Sequence, residues 1–166
     1  MVNGNRLLLI TTSRSPSPRS RSLLNAMALS IPCTKLSRGK TNMSSLLRLS
    51  VERGEGLATI FEKFGNPAGF RVVWPGTTEE LYTFDGFRAM SGIRSLTRGE
   101  PVSRINRGAG RSETKEGLRL CELLLQLKSS ESKLSAELTV HQDGAREVTT
   151  ISIGRNPCLA FYHRIK

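Results

Sequence analysis

Two glycine-containing segments carry residue types that bind phosphate groups in enzymes. Gly39-Lys40-Thr41 is similar to the end of a P-loop, in which backbone amides and a lysine hold a nucleotide. The first glycine of that motif would fall at position 34, which is Thr34, so the motif is incomplete. Gly108-Ala109-Gly110 lacks the third glycine of a dinucleotide-binding turn. From these segments we predict neither a cofactor nor a small-molecule substrate.

The cysteine and histidine residues show no pattern that is typical of metal binding or nucleophilic catalysis. Cys33, Cys121 and Cys158 are odd in number and far apart, without the spacing of a zinc site or a disulfide framework. His141 and His163 fall in strand-like segments, where a structural role is the more common one. The residues of a catalytic triad can be scattered along a chain, so the lack of a recognisable pattern does not by itself exclude one. We predict no catalytic residue and no metal site, in a protein that is not an enzyme and stays in a reducing cytoplasm.

The net charge indicates a polyanionic partner. The chain has 166 residues with 25 Lys and Arg against 14 Asp and Glu, a net charge of +11. Residues 1–56 carry a net +7, residues 57–111 a net +3 and residues 112–166 a net +1, by count of the same sequence. Binding of such a surface to a nucleic acid is favoured because each neutralised phosphate releases counterions. The alternative is a solvated basic surface without a partner.

Two predicted helices begin with positive charge, against the usual preference for acidic residues there. Arg14, Arg19 and Arg21 surround the start of the first helix, and Arg38 and Lys40 precede the second. A helix N-terminus is itself partly positive, so these cations would be mildly unfavourable unless an anion is present. We therefore predict that the loops 13–21 and 38–41 bind RNA phosphates. The alternative is that these side chains extend into solvent or cover sheet edges with their stems.

A second basic element contains Arg104, Arg107 and Arg111, interleaved with Gly108 and Gly110. Flexible backbone combined with arginine suits contact with irregular RNA, and a solvated loop is the alternative. Aromatic residues are only 5% of the chain, so we expect recognition of backbone and shape more than base stacking.

Hydrophobic patterning in the first half predicts strands alternating with two helices. Ser17-Pro18 is typical of a helix start, and Gly54 of a helix end, with Leu46, Leu47 and Val51 facing inward on the second helix. We predict a turn at 65–69. The predicted strands are 6–12, 33–36, 57–64 and 70–74, and the predicted helices run from 17 to 31 and from 42 to 53.

The second half is predicted to contain one helix and several antiparallel strands. Asp85-Gly86 between two apolar runs predicts a tight hairpin, and 94–111 is interpreted as a strand followed by an exposed loop. A third helix is expected over 112–128, and alternation with turns near 143–144 and 155–157 predicts a three-stranded meander. The class is α/β, with a mixed sheet and about three main helices.

Two observations on the sequence argue against membrane insertion. The leucine-rich stretch around 118–127 is too short to cross a bilayer, and Met1–Asn5 is not a basic-then-apolar leader. We expect a soluble, cytoplasmic protein.

Four segments resemble the motifs of the Brix-domain family of ribosome-biogenesis proteins. Residues 8–22, LLITTSRSPSPRSRS, are similar to the family's opening signature. Residues 36–40, 65–70 and 160–165 are similar to its Asn-Arg-Gly-Lys/Asn segment, its Gly-x-Pro-x-Gly turn and its closing strand. Pro75-Gly-Thr-Thr78 departs from the Gly-Pro-Thr-Ala of eukaryotic members. The compact length looks like the archaeal single-domain form.

The resemblance implies one domain over 1–166, with halves of about 1–75 and 76–166. Each half is expected to be similar to the anticodon-binding domain of class IIa aminoacyl-tRNA synthetases, with mixed sheets. The implied function is binding of (pre-)ribosomal RNA during subunit assembly and rRNA processing, alongside ribosomal proteins or other assembly factors. The alternatives are a basic scaffold that docks a protein partner and, more weakly, a tRNA-binding accessory protein.

Overall fold

A computed structural model describes residues 6–166, and the expectation for Met1–Asn5 lies outside this range. The first seven elements alternate between strands and helices before ending in consecutive strands. They are β1 (Leu8–Thr11), α1 (Pro18–Ser30), β2 (Cys33–Lys35), α2 (Met43–Arg53), β3 (Gly56–Lys63), β4 (Asn66–Val73) and β5 (Glu80–Thr83). These strands form one sheet in the order β2-β1-β3-β4-β5, parallel on both sides of β1 and antiparallel from β3 onward.

A second five-stranded sheet follows. Its elements are β6 (Gly86–Ala89), α3 (Ile93–Thr97), β7 (Arg104–Arg107), α4 (Lys115–Gln126), β8 (Ser135–Asp143), β9 (Arg146–Ile153) and β10 (Asn156–Arg164). The strand order is β6-β10-β9-β8-β7, and β7 is parallel to β8. The predicted α/β class with mixed sheets and three main helices is confirmed, since α3 has only five residues. The predicted meander is also present, as β8, β9 and β10.

The two sheets share a strand pattern. In the first, β1 is parallel to β3 and an antiparallel run leads through β4 to β5. In the second, β7 is parallel to β8 and an antiparallel run leads through β9 to β10. The chain passes from the first sheet to the second between Thr83 and Gly86.

One hydrophobic core joins the two sheets. Helix α1 contacts β4 of the first sheet and both β6 and β10 of the second, and α4 contacts β5 and β9. Phe70, Phe84 and Phe161 meet in this core with ring centroids 5.0–5.9 Å apart. Helix α2 covers the opposite face of the first sheet, where Leu46 packs with Leu9 and Leu57. This arrangement leaves the loops before α1 and α2 at the surface.

Local capping explains where the main helices begin and end. The side chains of Ser17, Asn42 and Thr114 accept hydrogen bonds from backbone amides in the first turns of α1, α2 and α4. Gly54 ends α2 in the left-handed conformation, which glycine adopts without steric cost. The predicted boundaries at Ser17 and Gly54 are confirmed.

Two predicted elements in the middle of the chain were wrong. Asp85-Gly86 does not turn a hairpin, because β5 pairs with β4 while β6 pairs with β10 of the other sheet. The segment 94–111 begins with helix α3 and reaches its strand only at Arg104. At Asp85-Gly86 the local turn signal was overridden by the pairing of β5 and β6 with strands of different sheets.

Two predicted details of packing also differ. The turn at 65–69 is shorter than expected, because the turn is Phe64-Gly65 and β4 already begins at Asn66. Val51 faces solvent with 61% of its surface exposed, since only one side of α2 meets the sheet. Among residues 6–166, no helix is long and apolar enough to cross a membrane.

Candidate nucleic-acid interface

The two basic loops predicted to bind phosphate lie side by side. They follow β1 and β2, which are parallel and in register, so both loops leave the same edge of the first sheet. Arg38 joins them, because its guanidinium donates to the carbonyl oxygens of Thr12 (3.3 Å) and Thr41 (3.2 Å). The Thr11 hydroxyl adds a bond of 2.9 Å to the Leu36 carbonyl oxygen. We call Arg14, Arg21, Arg38 and Lys40 the loop surface.

The start of α1 already holds a carboxylate of this protein. Glu62, near the end of β3, accepts hydrogen bonds from the Ser17 amide (2.8 Å) and the Ser20 hydroxyl (2.5 Å). These bonds from Ser20 and Ser17 lower the pKa of Glu62 and keep it ionised. An anion at this helix start is therefore internal, and an RNA phosphate would meet the exposed arginine side chains here more than the backbone amides.

The arginines around α1 do not point to one place. Arg21 donates to the carbonyl oxygen of Pro16 at 3.2 Å, within the loop itself. Arg19 lies over the Phe87 ring, 4.9 Å from its centroid, and lines a cleft of about 510 Å³ with Arg146 and Arg164. Arg19 thus faces the second sheet, away from the loop surface.

The start of α2 differs from that of α1. Its cap is Asn42, whose side chain accepts from the Ser45 amide at 2.9 Å. Lys40 is exposed two residues before this cap, and Arg38 is half-buried. Within the described chain no acidic side chain bonds to this helix start, so the positive charge of the loop stays uncompensated there.

Arg104, Arg107 and Arg111 form no single surface. They belong to β7, an edge strand, and the loop that follows it. Successive side chains of a strand alternate between faces, so Arg104 lies opposite to Arg107. Arg107 and Arg111 line one cleft of about 570 Å³. Gly110 shapes this cleft, since its φ is +86° and a Cβ there would collide with the Val140 carbonyl.

Backbone pairing builds a row of cations that the sequence interpretation missed. Lys128 forms antiparallel bridges with Arg6 on one side and Arg104 on the other. Paired residues in such bridges project to the same face at about 5 Å spacing, so the three side chains are neighbours. The Arg6 guanidinium also lies 4.5 Å from the centre of the Trp74 ring. We call Arg6, Lys128 and Arg104 the cation row, and it lies near the amino end of β1, opposite to the loop surface.

No local sequence signal marks the cation row, because its members come from three distant segments joined only by tertiary pairing. Like charges directly across a bridge are destabilising. No ion pair among the described residues neutralises the charges of these three side chains.

The described residues show no cluster suited to catalysis or metal binding. No group of three or more His, Cys, Asp or Glu that could hold a metal is found among residues 6–166. Cys33, Cys121 and Cys158 are buried, and burial raises the pKa of each thiol, which disfavours the reactive thiolate. His163 is buried and its Nε2 lies 2.8 Å from the Thr83 carbonyl oxygen, which links the two sheets.

Comparison with known proteins gives matches to ribosomal biogenesis proteins. No family model matches the chain. Over 65 residues the sequence is 38% identical to the Probable Brix domain-containing ribosomal biogenesis protein of Aeropyrum pernix, covering 38% of this chain. That segment spans 36% of the relative's own length, so the chain matches little more than a third of it.

Two solved structures share the whole fold. The crystal structure of a probable ribosomal biogenesis protein from Aeropyrum pernix has a TM-score of 0.67 at 20% identity, over 98% of this chain and 97% of that one. Mil, an archaeal Imp4-like protein, has a TM-score of 0.67 at 22% identity, over 96% of this chain and 99% of that one. The fold is therefore that of archaeal ribosomal biogenesis and Imp4-like proteins. The curated relative confirms the resemblance to the Brix-domain family over the 65 matched residues, and the two structures show the shared fold.

Proposed function

We propose that this protein is a ribosome assembly factor that binds (pre-)ribosomal RNA through phosphate contacts and shape. The observation that carries the proposal is the set of unpaired surface cations. The four ion pairs found in the described residues use Arg53, Arg71, Arg119 and Arg146. None of the eight predicted RNA-binding residues takes part: Arg14, Arg19, Arg21, Arg38, Lys40, Arg104, Arg107 and Arg111.

Uncompensated cations repel one another, and a polyphosphate removes that repulsion. The loop surface is the best candidate for the main contact, because Arg38 holds the two loops together and leaves Arg14 and Lys40 exposed. Guanidinium groups bind phosphate oxygens in a bidentate manner. The names of the curated relative and of the structural neighbours support ribosome assembly as the setting, with ribosomal proteins or other assembly factors as further partners. We propose no catalytic step.

The experiment compares two triple variants that remove the same charge. Arg14→Ala/Arg21→Ala/Lys40→Ala removes three unpaired cations of the loop surface. Arg71→Ala/Arg119→Ala/Arg146→Ala removes three exposed arginines that are paired with carboxylates. Binding of both to a ribosomal RNA fragment is measured by fluorescence anisotropy over a range of salt concentrations.

Three lost phosphate contacts should reduce the slope of log K against log salt by about 2 to 3. The same slope implies a roughly 50- to 150-fold loss of affinity near physiological salt. The control variant should change both quantities much less. Equal effects of the two variants would show that only net charge matters and would contradict the assignment of the loop surface. A steep salt dependence with an acidic polypeptide, and none with RNA, would instead favour the scaffold alternative.

A further inference from the structure

Phe64 is an aromatic side chain at the tip of the β3–β4 hairpin. It is the most exposed large apolar side chain among residues 6–166, with a relative exposed surface of 103%. Its backbone φ is +52°, and the next residue, Gly65, has a φ of +78°. Full exposure of such a side chain gains nothing from the hydrophobic effect, so packing within this chain does not explain it.

The backbone of Phe64 is in a conformation that large residues avoid. Left-handed backbone brings the Cβ close to the following carbonyl group, and asparagine or glycine usually occupies such a turn position. Among the described residues only Arg98 is a second non-glycine residue with positive φ. Backbone strain of this kind concentrates at functional sites, where a side chain is retained despite its cost.

The other five phenylalanines are all packed. Phe70, Phe84 and Phe161 form the buried aromatic group of the core. Phe87 is buried beneath Arg19, and Phe61 is half-buried with Arg71 5.2 Å from its ring centre. Phe64 is therefore a free aromatic surface in a chain that has few aromatic residues.

The hairpin tip and the loop that carries Arg14 leave the first sheet at the same edge. Strand β3 is parallel to β1, so its carboxyl end points in the same direction as the loop that carries Arg14. Glu62 bonds to Ser17 of that loop at 2.8 Å, and Phe64 follows two residues later, about 7 Å further along a strand. The register of β3 with β4 shifts between Phe61 and Glu62, and such a bulge changes the direction of a hairpin end.

The neighbours of Phe64 are suited to a nucleotide. Lys63 and Asn66, on either side of the turn, line a cleft of about 490 Å³ that also contains Arg164 and Lys166. Asp85 and Glu116 line the same cleft, but Asp85 already accepts the Arg164 amide at 2.6 Å. Among the described residues, the other large exposed apolar side chains, Val51, Leu81, Leu96 and Leu118, lie outside this hairpin, so the hairpin itself presents one large exposed apolar side chain.

We infer that Phe64 stacks on an unpaired base of the RNA whose phosphates bind Lys63 and the loop surface. This inference rests on the proposed function. Stacking on an aromatic ring needs a base that is not paired, so the hairpin selects single-stranded segments or loops. The expectation that recognition of backbone and shape outweighs base stacking then applies to the loop surface and not to the hairpin tip.

The test uses single-stranded oligoadenosine RNA and a blunt RNA duplex as probes. Phe64→Ala and Phe64→Asn both remove the ring, and Phe64→Asn also places a residue that tolerates the turn. Val51→Ala is the control, since it removes a different exposed apolar side chain. Loss of one stacked base should weaken binding of the single strand roughly 5- to 150-fold, with the salt slope unchanged because no charge is removed. Phe64→Asn should raise the Tm by about 2 to 4 °C through relief of strain.

The possible results separate the two proposals. Weaker single-strand binding by both variants, with duplex binding and the control unchanged, supports stacking by Phe64. Salt-dependent RNA binding by the wild-type protein with equal affinity of both variants overturns the stacking role and leaves the proposed function standing. A wild-type protein that shows no salt-dependent RNA binding overturns both.

Discussion

The buried carboxylate of Glu147 is expected to contribute strongly to the free energy of unfolding. It is buried on β9 and accepts four hydrogen bonds at the start of α4. One oxygen accepts from the hydroxyls of Ser112 and Thr114. The other accepts from the amides of Glu113 (2.7 Å) and Thr114 (3.3 Å). This side chain ties the second sheet to the helix that contacts both sheets.

The expected loss of stability in variants of Glu147 depends on the number and kind of hydrogen bonds that each variant removes. Removal of the acceptor by Glu147→Ala leaves buried donors without partners and should cost about 3–5 kcal/mol of unfolding free energy. Glu147→Gln keeps one acceptor oxygen and the hydroxyls can rotate, so the loss of charge assistance should cost about 1–2 kcal/mol. Glu122→Gln, at an exposed position of the same helix, should change stability by less than about 0.5 kcal/mol.

The stabilisation of the fold by the Glu147 carboxylate depends on pH. Burial raises its pKa, but the hydrogen bonds from Ser112, Glu113 and Thr114 outweigh burial, so the pKa lies below the ordinary value of 4.5. A lowered pKa in the folded state means that the stabilisation is complete above that ordinary value and is lost as pH falls through the folded pKa. The gap between wild type and Glu147→Gln should therefore narrow below pH 4.5.

Urea unfolding followed by circular dichroism, at neutral pH and at several acidic values, measures these quantities. A stability of Glu147→Ala within about 0.5 kcal/mol of wild type would refute the reasoning. So would a gap between wild type and Glu147→Gln that stays constant across the acidic range.

Two further predictions concern backbone geometry and the cation row. Gly110→Ala should destabilise the fold by at least about 2 kcal/mol because the new Cβ meets the Val140 carbonyl. Gly76 also has a positive φ but has open space around it, so Gly76→Ala should cost about 1 kcal/mol. Similar Tm losses for the two variants would contradict the contact with Val140. Lys128→Ala should raise stability by a few tenths of a kcal/mol by relieving repulsion from Arg6 and Arg104. The same variant should weaken binding to a ribosomal RNA fragment several-fold, and unchanged anisotropy titrations would remove the cation row from the interface.

Helix ends and the C-terminal meander could be predicted from the sequence, because the signals for each lie within a few neighbouring residues. Ser17-Pro18 and Gly54 predicted helix ends because capping depends on a few neighbouring residues. Alternation over the last segment predicted the meander, since β8, β9 and β10 are joined by short turns. The turn signal at Asp85-Gly86 failed because the partners of β5 and β6 lie in different sheets.

The basic residues of the candidate site could be predicted from the sequence, but not which of them share a surface. The basic loops were found because their arginines oppose the helix dipole, but the sequence gives no sign that Glu62 bonds to the start of α1. Arg104 and Arg107 were grouped by proximity, although the period of a strand separates them onto two faces. Lys128 joins Arg104 only through tertiary pairing, which no local pattern encodes.

The most direct test of the central claim is crosslinking of the protein to RNA in its native cells, followed by sequencing of the recovered fragments. We expect reads concentrated on one region of precursor ribosomal RNA. The yield should be lowered by Arg14→Ala/Arg21→Ala/Lys40→Ala and retained by the Arg71→Ala/Arg119→Ala/Arg146→Ala control. Reads spread evenly over all abundant RNAs would show that the basic surface is nonspecific and would contradict the assignment to ribosome assembly.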